Sequence, residues 1–260
     1  MGFFDQINEH VRDLNTNERK VFEYVIHHAN QVQDMSIREL AASCFVSSTT
    51  ILRFTRKLGF SGYREFSDSL KLAQHTAAQS SIPSVLYQKT FSEEYLKDII
   101  ESVRVISSSS IEKLCARIEQ AHRVYCYGLN LDHEIARYMY QVLLRLGIPA
   151  MLPMERLEKR QAIERMQDDD VLLVFSLSGE NTEVIEFVER VLSLHSPCVA
   201  TITQSGKNTL MGMSDFDFYV FYNRISIDGE DLSSRAPMLS LVDYISYGLI
   251  KRRQKREQQE

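Results

Sequence analysis

The segment Val171–Leu177 is apolar at every position but Ser176, and it runs straight into Ser178-Gly179-Glu180-Asn181-Thr182 and a helical pattern. A strand with one wet face alternates apolar and polar residues, whereas a run of this kind needs cover on both faces, as in a parallel sheet. A strand that feeds directly into a helix is half of a βαβ unit. The alternation recurs along the second half of the chain. Strands are expected at Arg123–Gly128, Pro149–Leu152, Cys198–Thr203 and Phe216–Tyr222, and helices at Leu131–Leu146 (stopped by Gly147), Thr182–Leu194 and Leu239–Ile250. These residues predict a doubly wound α/β sandwich with a mostly parallel sheet.

The first 75 residues carry a different rhythm, one of helices only. Asn15 can cap a helix with Glu18 three residues on, and Val21, Phe22, Val25, Ile26 and Ala29 form its apolar stripe. Ser36-Ile37-Arg38-Glu39 is a second capping box, Ser47 a third cap, Gly59 a stop, and Ser61 a further start. The helices at 36–44 and 47–58, joined by a short turn, have the length and spacing of a helix-turn-helix, whose second helix reads the major groove. On 47–58 the stripe Ile51, Phe54, Leu58 faces inward and Ser48, Thr49, Leu52, Arg53 and Arg56 face outward. The chain has no carboxylate between Glu39 and Glu65, a window holding Arg53, Arg56, Lys57 and Arg64. Candidate DNA contacts are therefore Ser47, Ser48, Thr49 and Thr50 at the helix start and Arg53 as a bidentate reader of guanine. Arg56, Lys57, Tyr63 and Arg64 are expected to hold phosphates. A three-helix packing module with a solvated basic face is the alternative. The expected division is a DNA-binding domain at 1–75, a small polar linker at 76–91, an α/β domain at 92–253 beginning with an amphipathic helical region, and a charged tail at 254–260.

Overall charge does not contradict this. The 260 residues carry a formal charge of −5, so a basic patch must be local. No run approaches the length of a membrane span, no basic-plus-apolar leader opens the chain, and the four cysteines form no C-x-x-C pair. Cytoplasmic localisation, no membrane, no metal and no cofactor are the expectations. The Gly128 segment lacks the third glycine of a dinucleotide fingerprint, and neither a Walker A motif nor a zinc-protease signature is present.

At the end of the buried strand, Ser176, Ser178, Gly179, Asn181 and Thr182 converge on a helix N-terminus. Hydroxyls, free amides and the helix dipole there favour an anion, and the carboxyl end of a central strand is where open α/β sheets bind ligands. Ser and Gly also suit a tight strand-to-helix turn with no ligand at all.

Two resemblances extend these readings. Leu14-Asn15-Thr16-Asn17-Glu18-Arg19-Lys20-Val21, Ser36-Ile37-x-x-Leu40-Ala41 and Val46-Ser47-x-x-Thr50-Ile51-x-Arg53-Phe54-x-x-Lys57-Leu58-Gly59-Phe60-x-Gly62-Tyr63 resemble the N-terminal domain of RpiR-type regulators. Phe45 departs from the pattern, since such turns usually carry Gly, and a positive φ there would strain it. Ser176-x-Ser178-Gly179-Glu180 before a helix, with Tyr127-Gly128 upstream and Ile202-Thr203 and Ser214-Asp215 downstream, is similar to the sugar isomerase (SIS) fold. That resemblance implies phosphosugar binding, with Ser176, Ser178 and the Gly179 amide on the phosphate. Here too the chain departs. Gly128-Leu129-Asn130-Leu131-Asp132 stands where the family has Gly-x-Gly-x-Ser, which puts the Asp132 carboxylate where phosphate would be repelled, and Asn208 replaces a Ser. Asn130 and Asp132 join the candidate ligand residues. The combined expectation is a regulator that binds operator DNA as a homodimer or homotetramer and answers to a phosphorylated sugar. An SIS-fold isomerase or etherase and a DNA-bound scaffold with a degenerate sensor are the other classes; no catalytic residue is nominated.

Overall fold

The computed structural model describes residues 14–78 and 91–258, so most of the expected linker and the last residues of the tail lie outside the described residues. The chain divides into two compact units, one built on residues up to Glu94 and the other on Tyr95–Val103 with everything from Ser108.

The first unit consists of α1 (Thr16–His27), a short α2 (Ala29–Val32), α3 (Ile37–Ser43), α4 (Ser48–Lys57) and α5 (Tyr63–Ala78). The starts of α1, α3 and α4 are each set by a side chain that serves orphan amides. Asn15 and Glu18 form one reciprocal capping box and Ser36 and Glu39 another, while Ser47 Oγ accepts the Thr50 amide. The inward stripes meet in a core of Val21, Phe22, Val25, Leu40, Ile51, Phe54, Leu58, Phe66 and Leu70, all buried. Phe54 and Phe60 pack edge-on against Phe66.

Helices α3 and α4 end by the same device, in which two amides fold back onto the last turn around a residue in the left-handed region. After α4 that residue is Gly59, at φ 86°, with the Gly59 and Phe60 amides donated to the Arg56 and Thr55 carbonyls. After α3 it is Phe45, at φ 54°, with the Phe45 and Val46 amides donated to the Ala42 and Ala41 carbonyls. The turn thus has the glycine geometry without the glycine. The Phe45 ring is 96% exposed, so no packing offsets its backbone cost.

The second unit opens with α6 (Phe91–Arg104, of which Tyr95–Val103 belongs here) and α7 (Ser108–Gln120). There follow β1 (Val124–Gly128), α8 (Leu131–Arg145), β2 (Ala150–Met151), α9 (Arg156–Arg165), β3 (Val171–Phe175), α10 (Thr182–Leu194), β4 (Cys198–Gln204), β5 (Phe216–Val220), the short pair β6 (Ser226–Ile227) and β7 (Glu230–Asp231), and α11 (Ala236–Glu257). The five strands β1–β5 make one parallel sheet in the order β2-β1-β3-β4-β5. β1 and β3 are buried at every residue. On one face Tyr125, Tyr127, Leu172 and Val174 pack with Val184, Phe187, Val188 and Val191 of α10.

Several elements go beyond the pattern, among them α9 and the end of the last helix. α9 is expected from nothing in the sequence, because Arg-Leu-Glu-Lys-Arg-Gln-Ala-Ile-Glu-Arg has too few apolar residues to mark a face. The last helix begins at Pro237's turn and continues through the basic segment to Glu257, because Arg252 and Arg256 both reach Glu119 of α7 at 2.8 Å. The first residues of the charged tail are therefore helical.

Strand order 2-1-3-4-5 has its switch point between β1 and β3, where crossovers leave in opposite directions and a crevice opens at the carboxyl ends. The loops that meet there are Gly128–Asp132 and Ser176–Thr182.

Candidate functional site

The outward side of α4 carries the basic residues. Thr49, Arg53 and Arg56 are exposed, as is Arg64 at the start of α5, whereas Ser48 is half-buried. Ser47 and Thr50 bond each other at 2.9 Å while Ser47 also caps the helix, so both hydroxyls have structural work. Tyr63 donates its hydroxyl to the Met35 carbonyl at 2.7 Å; burial, followed by the charges of Glu39 and Cys44, pushes its pKa up to about 12. The aromatic ring therefore braces the loop before α3.

Lys57 differs from its neighbours. Its ammonium lies 2.9 Å from Glu18, a carboxylate of α1 that is only 2% exposed and also accepts the Asn15 amide. Burial alone would raise the Glu18 carboxyl, but the Asn15 amide and the Lys57 ammonium outweigh it and hold it below its ordinary value. A stretch of chain free of carboxylates is thus served by one from a distant helix. Lys57, expected on a phosphate, spends its charge inside the fold.

In the second unit the crevice is built on two loops. Asn130 takes φ 52° and ψ −128°, with no capping bond from its side chain, and turns β1 into α8. Gly128 is required there, since a Cβ would lie 2.9 Å from both the Asp132 and the Phe175 carbonyl oxygens. Across the crevice Ser176 is buried and Ser178 exposed, with Ser178 Oγ accepting the Glu180 amide at 3.2 Å. Asn181 caps α10 by accepting the Val184 amide, ahead of exposed Thr182. The Gly179 amide, expected to be free for a phosphate, is donated to the Ser176 carbonyl at 3.0 Å and closes the turn. Gly179 sits at φ 66°, and a Cβ there would meet the Asn208 side chain at 2.3 Å.

Asp132 ties the two loops together. One carboxylate oxygen accepts the Leu177 amide at 2.9 Å, and the other accepts from Arg235 Nε at 2.7 Å. Arg235 also pairs with Asp231 at 2.8 Å, and the side chains of Asp132 and Arg235 are each 13% exposed. Burial pushes the Asp132 carboxyl up, and Arg235 and the Leu177 amide oppose it without cancelling the rise. The charge that sequence reading assigns to the crevice is present, with a guanidinium beside it. His133, adjacent in sequence, is not its partner, and its Nε2 is buried without a hydrogen bond. Arg235 is missed by sequence reasoning because it lies 103 residues from Asp132 at the start of α11. Beside the loop, Glu180 accepts both the amide and the hydroxyl of Thr209 at 2.8 Å, and Gln204 donates to the Ser178 carbonyl.

Among the described residues no three His, Cys, Asp or Glu side chains come together in a way that could hold a metal, and no helix is long and apolar enough to cross a membrane. All four cysteines are free and buried.

Residues 1–82 match the helix-turn-helix domain of the rpiR family, and residues 117–246 match the SIS domain. The HTH-type transcriptional regulator GlvR of Bacillus subtilis is 28% identical over 242 residues, 91% of each chain. The HTH-type transcriptional regulator RpiR of Escherichia coli is 23% identical over 88% of this chain and 80% of its own. Among solved structures, NanR of Vibrio vulnificus, complexed with ManNAc-6P, shares the fold at TM-score 0.55 and 20% identity, covering 99% of this chain and 94% of that one. The sugar isomerase domain of an RpiR transcription factor from Sphaerobacter thermophilus gives TM-score 0.56 at 13% identity over 65% of this chain and 94% of that one. With an rpiR-type helix-turn-helix domain at its head and an SIS domain built on a five-stranded parallel sheet behind it, the chain belongs to the RpiR family of transcriptional regulators.

Proposed function

We propose that the protein regulates genes of sugar metabolism or uptake, that its DNA affinity is set by a phosphorylated sugar held between the Gly128–Asp132 and Ser176–Thr182 loops, and that it is not an enzyme. One observation carries this reading: a Ser-x-Ser-Gly turn delivers Ser178 and the N-terminus of α10 to the switch-point crevice of an SIS sheet. The complex of NanR with ManNAc-6P supports a sugar phosphate as the ligand class. DNA reading falls to residues 1–75, with Thr49 and Arg53 toward base edges and Arg56 and Arg64 toward phosphates. Exposed Tyr138 and Leu144 on α8 and Tyr247 and Ile250 on α11 support assembly into a homodimer or homotetramer.

A melting screen of the full chain against phosphorylated mono- and disaccharides tests the effector, because a ligand of the native state raises its stability by mass action. The expected result is a melting shift with at least one sugar phosphate, no turnover, and altered mobility of promoter DNA in its presence. Ser178→Ala should remove the shift and leave DNA binding intact. A second reading, a DNA-bound scaffold with a silent sensor, is favoured by the donors already used within the crevice: the Leu177 amide by Asp132 and the Gly179 amide by Ser176. DNA binding with no melting shift from any sugar phosphate would select it, and turnover would select the isomerase.

A further inference from the structure

A cleft of about 800 Å³ lies between α9 and α10, lined among others by Arg156, Leu157, Lys159, Ile163, Glu183 and Arg190. Its origin is the composition of α9. Ala162 is its one fully buried residue, so α9 covers the sheet thinly and leaves space above the end of β1. Beneath the cleft the rings of Tyr127 and Phe187 stack with centroids 3.9 Å apart and planes 21° from parallel, buried at 1% and 4% exposure. Leu157 and Ile163 add apolar wall. The Tyr127 hydroxyl is buried there beside the Lys159 ammonium, without a well-aligned hydrogen bond.

The rim is cationic. Lys159 lies 5.7 Å from the Tyr127 ring centre, but its charge is answered by Glu183 at 2.7 Å. Arg160 leans on Glu164 at 3.4 Å. Arg156 and Arg190, both exposed, form no ion pair among the described residues, and Glu186 is the remaining carboxylate of the lining. None of these residues belongs to the Ser176–Thr182 loop or to the Asp132–Arg235 pair.

We propose that this cleft is a second ligand site, distinct from the effector crevice, and that it takes a small organic anion with an apolar body. The volume falls in the range of small-molecule sites, roughly 300–1,000 Å³, and the lining joins one apolar wall to a charged rim. The body of the ligand lies against Leu157 and Ile163, above the buried Tyr127–Phe187 pair. Its phosphate or carboxylate meets Arg156 and Arg190, whose planar forks suit such groups.

The probe is 1-naphthyl phosphate, titrated into the full chain and followed by its own fluorescence anisotropy. Saturable binding is expected below about 1 mM, weakened by about tenfold or more in Arg156→Glu/Arg190→Glu and unchanged in Ser178→Ala. Inorganic phosphate should compete poorly, since it lacks the apolar body. Both arginines are exposed, and an unshifted melting temperature in the double variant shows that the fold is intact. No saturation in the wild-type chain, equal binding by the double variant, or loss of binding in Ser178→Ala would each overturn the proposal, the last by moving the probe to the effector crevice.

Discussion

Replacing Asp132 by Asn separates the two roles that its carboxylate combines. The side chain accepts the Leu177 amide at 2.9 Å and pairs with Arg235 at 2.7 Å, and both partners are nearly buried. Asn keeps an acceptor for the amide and loses the charge. Removing one member of a buried pair costs about 3–5 kcal/mol when the other charge is stranded. Arg235 is not stranded, because Asp231 remains 2.8 Å away, so Asp132→Asn should cost only about 1–2 kcal/mol of stability. Asp132→Ser shortens the side chain as well and leaves the Leu177 amide unpaired, adding about 1–3 kcal/mol. Ligand affinity should move the other way. A phosphate in the crevice meets the Asp132 charge, partly compensated by Arg235; at an effective dielectric of about 20 and about 5 Å separation the bare repulsion is about 3 kcal/mol, and compensation leaves about half. Phosphate binding by Asp132→Asn should therefore tighten by about tenfold, with Arg235 released to meet the anion. Calorimetric titration with the best sugar phosphate from the melting screen measures the gain, and denaturant unfolding measures the cost. Weaker binding by a stably folded Asp132→Asn would refute the reasoning and show that the carboxylate holds the sugar. A double-mutant cycle with Arg235→Met that is additive within about 0.5 kcal/mol would show that the pair is not coupled.

Lys57→Ala should destabilise the helical unit by about 1–2 kcal/mol, because it leaves Glu18 buried without its cation, whereas Arg53→Ala should alter stability by less than about 0.5 kcal/mol and weaken operator binding by about 1–3 kcal/mol; denaturant melts and binding to a set of operator variants separate the two. Phe45→Gly should raise stability by about 1 kcal/mol in denaturant unfolding, since glycine takes the φ of 54° without strain and no packing is lost; an unchanged or lower midpoint would mean that the exposed ring has contacts of its own. The Glu18 carboxyl is held below its ordinary value of 4.5, so its contribution is fully present above about that pH and is lost as pH falls toward the depressed value; the melting temperature should fall across that window, and Glu18→Gln should flatten the slope.

The elements set by local chemistry were legible in the sequence. The boxes at Asn15 and Ser36, the cap at Ser47 and the stops at Gly59 and Gly147 act over three to five residues, and α10 spans Thr182–Leu194 as its pattern predicts. The strands of the parallel sheet announced themselves because burial on both faces leaves little room for polar residues. The Ser176–Thr182 loop was legible for the same reason, as a strand, a turn and a cap in direct succession. The turn at Phe45 was half legible: the sequence showed that a glycine was missing, and only the structure decided that the backbone keeps the glycine conformation. What the sequence could not hold was pairing between distant charges. Lys57 reads as a free cation in a carboxylate-free window until α1 places Glu18 against it, and Asp132 reads as an uncompensated charge until α11 delivers Arg235. α9 and the cleft over Tyr127 had no signal either, since a polar helix with one buried alanine has no apolar period to read. Caps and strands are written in neighbouring residues, whereas the charge balance of a crevice and the gap beneath a thin helix depend on which side chains the finished packing brings within a few ångströms.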